Sequence, residues 1–86
     1  MTENSKKDKA EIQRIVYKAV AEAAGSEIDE LSSDTELITK LNMDSLAIFE
    51  LAIELEEAFE LRIPDEDIDD IKTIGDVIDY IVSRVG

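Results

Sequence analysis

Apolar residues recur along this chain with a helical period, and the breaks in the period mark the elements. Ile12, Ile15, Val16, Ala19, Val20 and Ala23 fall at i, i+3, i+4, i+7, i+8 and i+11. That is one face of an α-helix over about residues 9–24. Gly25 predicts its stop, because glycine enters the left-handed conformation that closes a helix without steric cost. Residues 26–44 lose the period. A connection of that length without structure is uncommon in a compact domain. Ile28, Leu31, Leu37, Ile38 and Leu41 are therefore expected to tuck under the helices, with a short turn of helix near residues 36–40. So long a connection can span a helix, and the first two helices need not form a tight hairpin.

The second helix, about residues 45–60, carries two apolar faces. At about 100° per residue, Ile48, Leu51, Ala52, Leu55, Ala58 and Phe59 form a broad stripe, which is the expected core face. Leu46, Phe49 and Ile53 form a narrower stripe on roughly the opposite side, bordered by Glu50, Glu54, Glu56, Glu57 and Glu60. A helix with one buried face has no folding reason for the second stripe. Apolar surface with a polar rim marks a binding surface, unless the long connection or a later helix covers it.

Arg62-Ile63-Pro64 ends the pattern, since proline disfavours helical geometry in the residue before it and suits a helix start. A short third helix is expected over about residues 65–70, with Ile68 and Ile71 inward. A fourth begins near Thr73, with Asp76 three residues on as an approximate capping box. Ile74, Val77, Ile78, Ile81 and Val85 give its apolar face, Arg84 suits its C-terminal dipole, and Gly86 ends it. The expected fold is an all-α four-helix bundle, with three longer helices, one short one and a long first loop. Residues 1–8 read as a flexible tail and 9–86 as one folded domain.

Composition narrows the function. A chain of 86 residues buries only about 60% of its unfolded surface, so its stability is modest. It has no cysteine, hence neither disulfide nor thiolate metal site, and no histidine, the commonest general base. Ordinary hydrolase chemistry is disfavoured, and the chain is not expected to be an enzyme. A formal net charge of −13 repels nucleic acid and favours basic protein surfaces, with an attraction that weakens in salt. No apolar run approaches the roughly 20 residues of a membrane span, and no signal or transit pattern opens the chain. A cytoplasmic monomer is the default expectation. The alternate acids Asp65, Asp67 and Asp69, with Asp76 at the twelfth position, follow EF-hand spacing, but Asp70 stands where glycine is needed and Pro64 favours a helix start. No dedicated metal site is expected.

The centre of the chain is Asn42-Met43-Asp44-Ser45-Leu46. Asp44 is a good N-cap type, which places Ser45 at the first helical position. An anionic group attached there is favoured by the helix dipole and the free amides. No base lies beside the serine in sequence to make it a nucleophile by itself.

Asp44-Ser45-Leu46 resembles the Asp-Ser-Leu motif of acyl carrier proteins. Leu41 before it and Leu55-Glu56-Glu57-Ala58-Phe59, Ile63-Pro64-Asp65 and Tyr80-Ile81 after it extend the resemblance from about Ile12 to Val85. The resemblance implies that Ser45 is esterified with 4′-phosphopantetheine from coenzyme A, whose thiol holds acyl cargo as a thioester. It implies that Asp44 assists recognition by a phosphopantetheinyl transferase. It also implies that Leu46, Phe49, Glu50, Ile53, Glu54, Glu56 and Glu57 meet basic patches on acyl-transferring and acyl-modifying enzymes of fatty-acid, lipid or related biosynthesis. Four positions depart from the family pattern. Asn42 replaces the usual glycine, Lys40 stands where an acid is usual, Ala47 replaces a residue that is often polar, and Phe49 is bulkier than the usual aliphatic. Asparagine tolerates left-handed geometry, so the turn survives. The other three lie near the arm and suggest a specialised carrier, for which a polyketide or aminoacyl pathway is the alternative. A non-modified acidic helical interaction module is the remaining competitor.

Overall fold

Every helix begins at a residue whose chemistry favours a start. The computed structural model describes residues 8–85. These form α1 (Lys9–Ala24), one 3₁₀ turn (Ile28–Glu30), α2 (Ser45–Phe59), α3 (Asp65–Ile68) and α4 (Ile74–Val85). Asp8 caps α1, its Oδ1 accepting from the Glu11 amide at 2.9 Å. This residue, assigned to the tail by the sequence, is thus part of the fold. The tail expectation for residues 1–7 and the stop at Gly86 lie outside the described residues. Gly25 closes α1 in the left-handed conformation, with φ 71°.

α1 packs against both α2 and α4. Ile12, Val16 and Val20 of α1, Leu51 and Leu55 of α2, and Ile74, Val77 and Ile81 of α4 are all buried in one core. Two expectations for the helical faces need adjustment. Ala58 is exposed, because it sits at the edge of the α2 core stripe, and Ile48 is only half-buried. Ile68 and Ile71 are likewise half-buried but pack against the core.

The long connection departs most from its sequence reading. Residues 36–41 form a hydrogen-bonded turn, with the amides of Lys40 and Leu41 both donating to the Glu36 carbonyl, and no helix forms there. The 3₁₀ turn lies earlier, at Ile28–Glu30. Leu37 is buried and Leu31 and Leu41 are half-buried, but Ile28 and Ile38 face solvent. The reason is that the connection is fastened by its backbone. The Leu37 amide donates to the Lys72 carbonyl at 2.9 Å, the Ile74 amide to Thr35 at 3.1 Å, and the Gly75 amide to Ser33 at 2.8 Å. Glu36 and Thr73 form a single antiparallel bridge between these bonds. A strand-like segment turns alternate side chains to opposite sides, so Leu37 enters the core while Ile38 points away.

The capping box of α4 closes despite its shorter acid. Asp76 donates its amide to Thr73 Oγ1 at 3.1 Å, and its Oδ2 accepts from the amides of Lys72 at 3.0 Å and Thr73 at 3.1 Å. The Lys72 amide first, and that of Thr73 next, hold the Asp76 carboxyl below its ordinary value. This contribution to stability is present above the ordinary carboxylate pKa and is lost as pH falls through the lowered one.

Gly75 sits where the connection approaches closest. A Cβ there would stand 3.0 Å from the Ser33 carbonyl oxygen, a backbone atom that is itself bonded to the Gly75 amide. Gly75→Ala is therefore expected to cost about 1–3 kcal/mol, lowering Tm by roughly 5–15 °C in a domain of this size. Thermal unfolding by circular dichroism measures this, and an unchanged Tm would mean the connection yields freely.

Candidate functional site

The turn into α2 is built from three consecutive residues with different tasks. Asn42 takes the left-handed conformation, with φ 58°, as its side chain tolerates. Met43 is buried, and its amide donates to the Leu37 carbonyl at 3.1 Å. Asp44 is extended, and its Oδ1 accepts from the Ala47 amide at 2.9 Å. Its carbonyl accepts from Ile48 at 3.0 Å, which closes the first turn. Ser45 follows as the first residue of α2 and is exposed. Its hydroxyl thus stands at the positive end of a 15-residue helix, beside first-turn amides that have no helical acceptor.

A groove of about 390 Å³ opens beside Ser45. It is lined by the polar Ser45, Lys72, Asp65 and Asp69 and by the apolar Ile38, Ile48, Phe49, Ile68 and Ile71. Adjoining it, a smaller space of about 20 Å³ is lined only by apolar residues, among them Leu37, Leu51, Leu55, Ile63 and Val77. Ile48, Ile68 and Ile71 line both. These three side chains are the partition between the groove and the core. The residues fit an arm with an anionic phosphate at its root and a less polar remainder. Ser45 is exposed, the helix N-terminus favours negative charge, and the groove beside it offers both polar and aliphatic lining.

The second stripe of α2 is open. Leu46 is 66% exposed, Phe49 46% and Ile53 53%, so neither the long connection nor α3 covers them. Glu50, Glu54 and Glu57 are exposed beside them. Glu56 is different. It is half-buried, and its Oε2 accepts from the Ile63 amide at 2.8 Å, so it holds the segment after α2 rather than standing free on the rim. Glu60 closes α2 in the left-handed conformation, with φ 55°.

Two acids of the EF-hand spacing, Asp67 and Asp76, have other partners. Asp65 opens α3, Asp67 accepts from the Tyr80 hydroxyl, and Asp76 caps α4. Among the described residues, no group of three or more His, Cys, Asp or Glu is placed to hold a metal ion. Among them also, no helix is long and apolar enough to cross a membrane.

The sequence reading did not place Ile38, Lys72 or the Ile68–Ile71 pair at this site. Their position depends on how the connection and the α3–α4 link fold onto α2. The local pattern carried one partial signal, the inward setting of Ile68 and Ile71.

The region of residues 14–81 matches the family model described as "Phosphopantetheine attachment site". The acyl carrier protein of Borreliella burgdorferi (strain ZS7) is 38% identical over 79 residues, covering 92% of this chain and 99% of that protein. The acyl carrier protein of Exiguobacterium sibiricum is 40% identical over 70 residues, covering 81% and 89%. In three dimensions the chain is similar to the solved acyl carrier protein from Enterococcus faecalis, with a TM-score of 0.77 and 34% identity, covering 90% of this chain and 98% of that one.

One glutamate of α2 carries an unfavourable charge. Desolvation first, and then the nearby Glu22 carboxylate, which shares a hydrogen bond with it, hold the Glu54 carboxyl above its ordinary value. Glu57 adds to the rise and Lys18 opposes it. A raised pKa means that folding favours the protonated form, so this contribution is present at low pH and lost as pH rises through the raised value. Glu54→Gln is therefore expected to melt higher than the parent at pH 7, and the difference should close below the ordinary carboxylate pKa. Paired melts from pH 3 to 8 test this, and a difference that grows on acidification would refute the sign.

Proposed function

The chain belongs to the acyl carrier protein family, and on that premise we propose that Ser45 is the residue that bears its 4′-phosphopantetheine. The family bond carries acyl groups on this prosthetic group, which supplies a terminal thiol on a flexible arm for thioester linkage. The supporting observation is the site of Ser45: an exposed hydroxyl at the first position of α2, capped by Asp44 and opening on the groove. Ser45 Oγ forms the new P–O bond as the pyrophosphate bond of coenzyme A breaks, the nucleotide half leaves, and the hydroxyl proton passes to the transferase. The chain has no histidine to activate Ser45, and the reading assigns this chemistry to a phosphopantetheinyl transferase. The chain itself acts as a carrier and not as a catalyst. Asp44 then has two roles, capping α2 and presenting a carboxylate to the transferase.

The open stripe of α2 is the surface by which the carrier meets its enzymes. Leu46, Phe49 and Ile53 form its apolar centre, and Glu50, Glu54 and Glu57 its acidic rim; Glu56 contributes charge from a tethered position. Acids at the rim set association rate and salt dependence, while the apolar centre supplies more of the affinity. Phe49 also lines the groove. Its bulk at this point, with Lys40 and Ala47 nearby in sequence, favours a carrier specialised in its cargo or partners over a general fatty-acid carrier. The reading keeps it monomeric and cytoplasmic.

The cargo shelters behind the partition of Ile48, Ile68 and Ile71. Each buried CH₂ gains about 0.8 kcal/mol, which draws an acyl chain inward. The present interior space of about 20 Å³ holds about one water, so a chain enters only as the partition moves.

Incubation with coenzyme A and a phosphopantetheinyl transferase is expected to add the mass of one phosphopantetheine unit to the parent and nothing to Ser45→Ala. Modification of both would move the attachment elsewhere, and modification of neither by several transferases would leave an acidic interaction module. Phe49→Ala, being at an exposed position, should change stability by no more than about 0.5 kcal/mol. It should weaken binding to a cognate acyl-handling enzyme roughly tenfold, as measured by titration calorimetry. Equal affinity of parent and variant would remove the stripe from the interface.

A further inference from the structure

The partition between groove and core is carried in large part by α3, an element of only four residues, Asp65–Ile68. Ile68 of α3 and Ile71 of the link that follows it are the wall residues; both are half-buried, and the backbone bonds of this segment are few and local. A segment with so little apolar contact belongs to the low-stability end of a fold. Something must hold it against the bundle.

That fastening is a three-residue cluster on the side of α3 that meets α4. The Tyr80 hydroxyl donates to Asp67 Oδ2 at 2.6 Å, and the Arg84 guanidinium reaches the same oxygen at 3.0 Å. The guanidinium carbon also lies 4.6 Å from the centre of the Tyr80 ring. One carboxylate oxygen of α3 thus receives two donors from successive turns of α4, and those donors are stacked on each other. Tyr80 is half-buried, and its hydroxyl is held protonated by its surroundings and by Asp67. The bond spans 13 residues of sequence, and the ion pair 17, so neither is a local helix pairing.

We propose that Asp67, Tyr80 and Arg84 form a latch that sets how far the α3 wall opens, and so how long an acyl chain the carrier shelters. The inference rests on the reading that cargo enters past Ile68 and Ile71. Asp67 lies one residue before Ile68, so displacing either isoleucine outward draws on the Asp67 bonds. A short chain needs a small displacement and leaves the latch closed. A longer one reaches a length at which Asp67 must part from Tyr80 and Arg84. Beyond that length further methylenes stay outside and add no protection.

Tyr80→Phe removes the hydroxyl and keeps the ring under Arg84. Asp67→Asn keeps the shape and removes the charge. The first readout needs no cargo. Hydrogen exchange at the Ile68 and Ile71 amides should quicken roughly tenfold in either variant, as for the loss of one or two hydrogen bonds to a charged group. Exchange in the α4 interior should keep the parental rate, which separates local opening from general destabilisation. The second readout uses the holo protein loaded with saturated acyl chains of increasing length, followed by thioester hydrolysis rate and by Tm. In the parent, protection should rise with length and level off, and in both variants the plateau should move to longer chains. Unchanged exchange at Ile68 and Ile71 would overturn the latch. Quickened exchange with an unmoved plateau would overturn its role in setting length. Protection independent of length in parent and variants alike would overturn the sheltered-cargo reading, and the length-setting role with it, while the exchange data would still report on the latch.

Discussion

The fastening of the long connection to the α3–α4 link is the constraint on which the rest of the structure depends. A segment between two helices with almost no regular structure leaves many backbone donors and acceptors to be satisfied. Here three bonds do so across the chain, from Leu37 to Lys72, Ile74 to Thr35 and Gly75 to Ser33. Leu37 couples the two ends of this arrangement. Its amide binds the link before α4, its carbonyl accepts from Met43 just before α2, and its side chain is buried between them. Ser45 is therefore positioned by reference to the link before α4. The groove beside Ser45 follows from the same fastening, because Lys72, which accepts from Leu37, and Ile38, the residue after Leu37, both come to line it.

The acidic composition takes on several distinct physical roles once the fold is known. Asp8 and Asp44 each accept from a first-turn amide and start a helix, and Asp76 reaches back to the amides of Lys72 and Thr73 just before α4. Glu56 holds the segment before Pro64, and Asp67 holds α3 to α4. These acids gain from a positive partner or a free amide. Glu50 and Glu57 remain exposed on α2. Glu54 stands beside Glu22, so its raised pKa marks a place where folding costs electrostatic energy. A surface kept at such a cost, next to an open apolar stripe, fits selection for binding better than selection for stability.

What could be read in the sequence was what is encoded locally. Helix periods gave α1, α2 and α4 to within a residue or so, and Asp44, Gly25 and Thr73-Asp76 marked ends that the structure shows in place. The exposed stripe was legible because a second apolar face on one helix has no folding use. The connection was not legible in the same way. Five apolar residues in an aperiodic segment carry no information about which will be inward, and backbone bonds to residues 72–75 decided that Leu37 is and Ile38 is not. Glu60 had no signal at all. Its left-handed backbone is needed to turn the chain after α2, and the Leu61 amide then bonds back to Glu56, but no glycine announces it. Ala58 was placed in the core, and the tether of Glu56 to Ile63 had no signal, for a related reason. Wheel angle assigns a face, while the neighbouring segment decides whether that face is covered or bonded.

The weak element of the fold and the proposed cargo path coincide, and that coincidence has a physical logic. The core proper is made by α1, α2 and α4, and the apolar space of about 20 Å³ lies beside α2, between it and the α3 wall. A carrier built that densely throughout would exclude its cargo, because close-packed interiors resist even one added methylene. A carrier built loosely throughout would sacrifice stability that a small domain lacks. Concentrating the looseness in four residues that are held by polar bonds resolves the conflict. Polar bonds at a surface exchange for water at modest net cost, whereas apolar packing in the core does not. On the proposed reading, the wall yields while the helices that present Ser45 and the α2 stripe stay fixed, so that loaded and unloaded carrier would offer its enzymes one and the same surface.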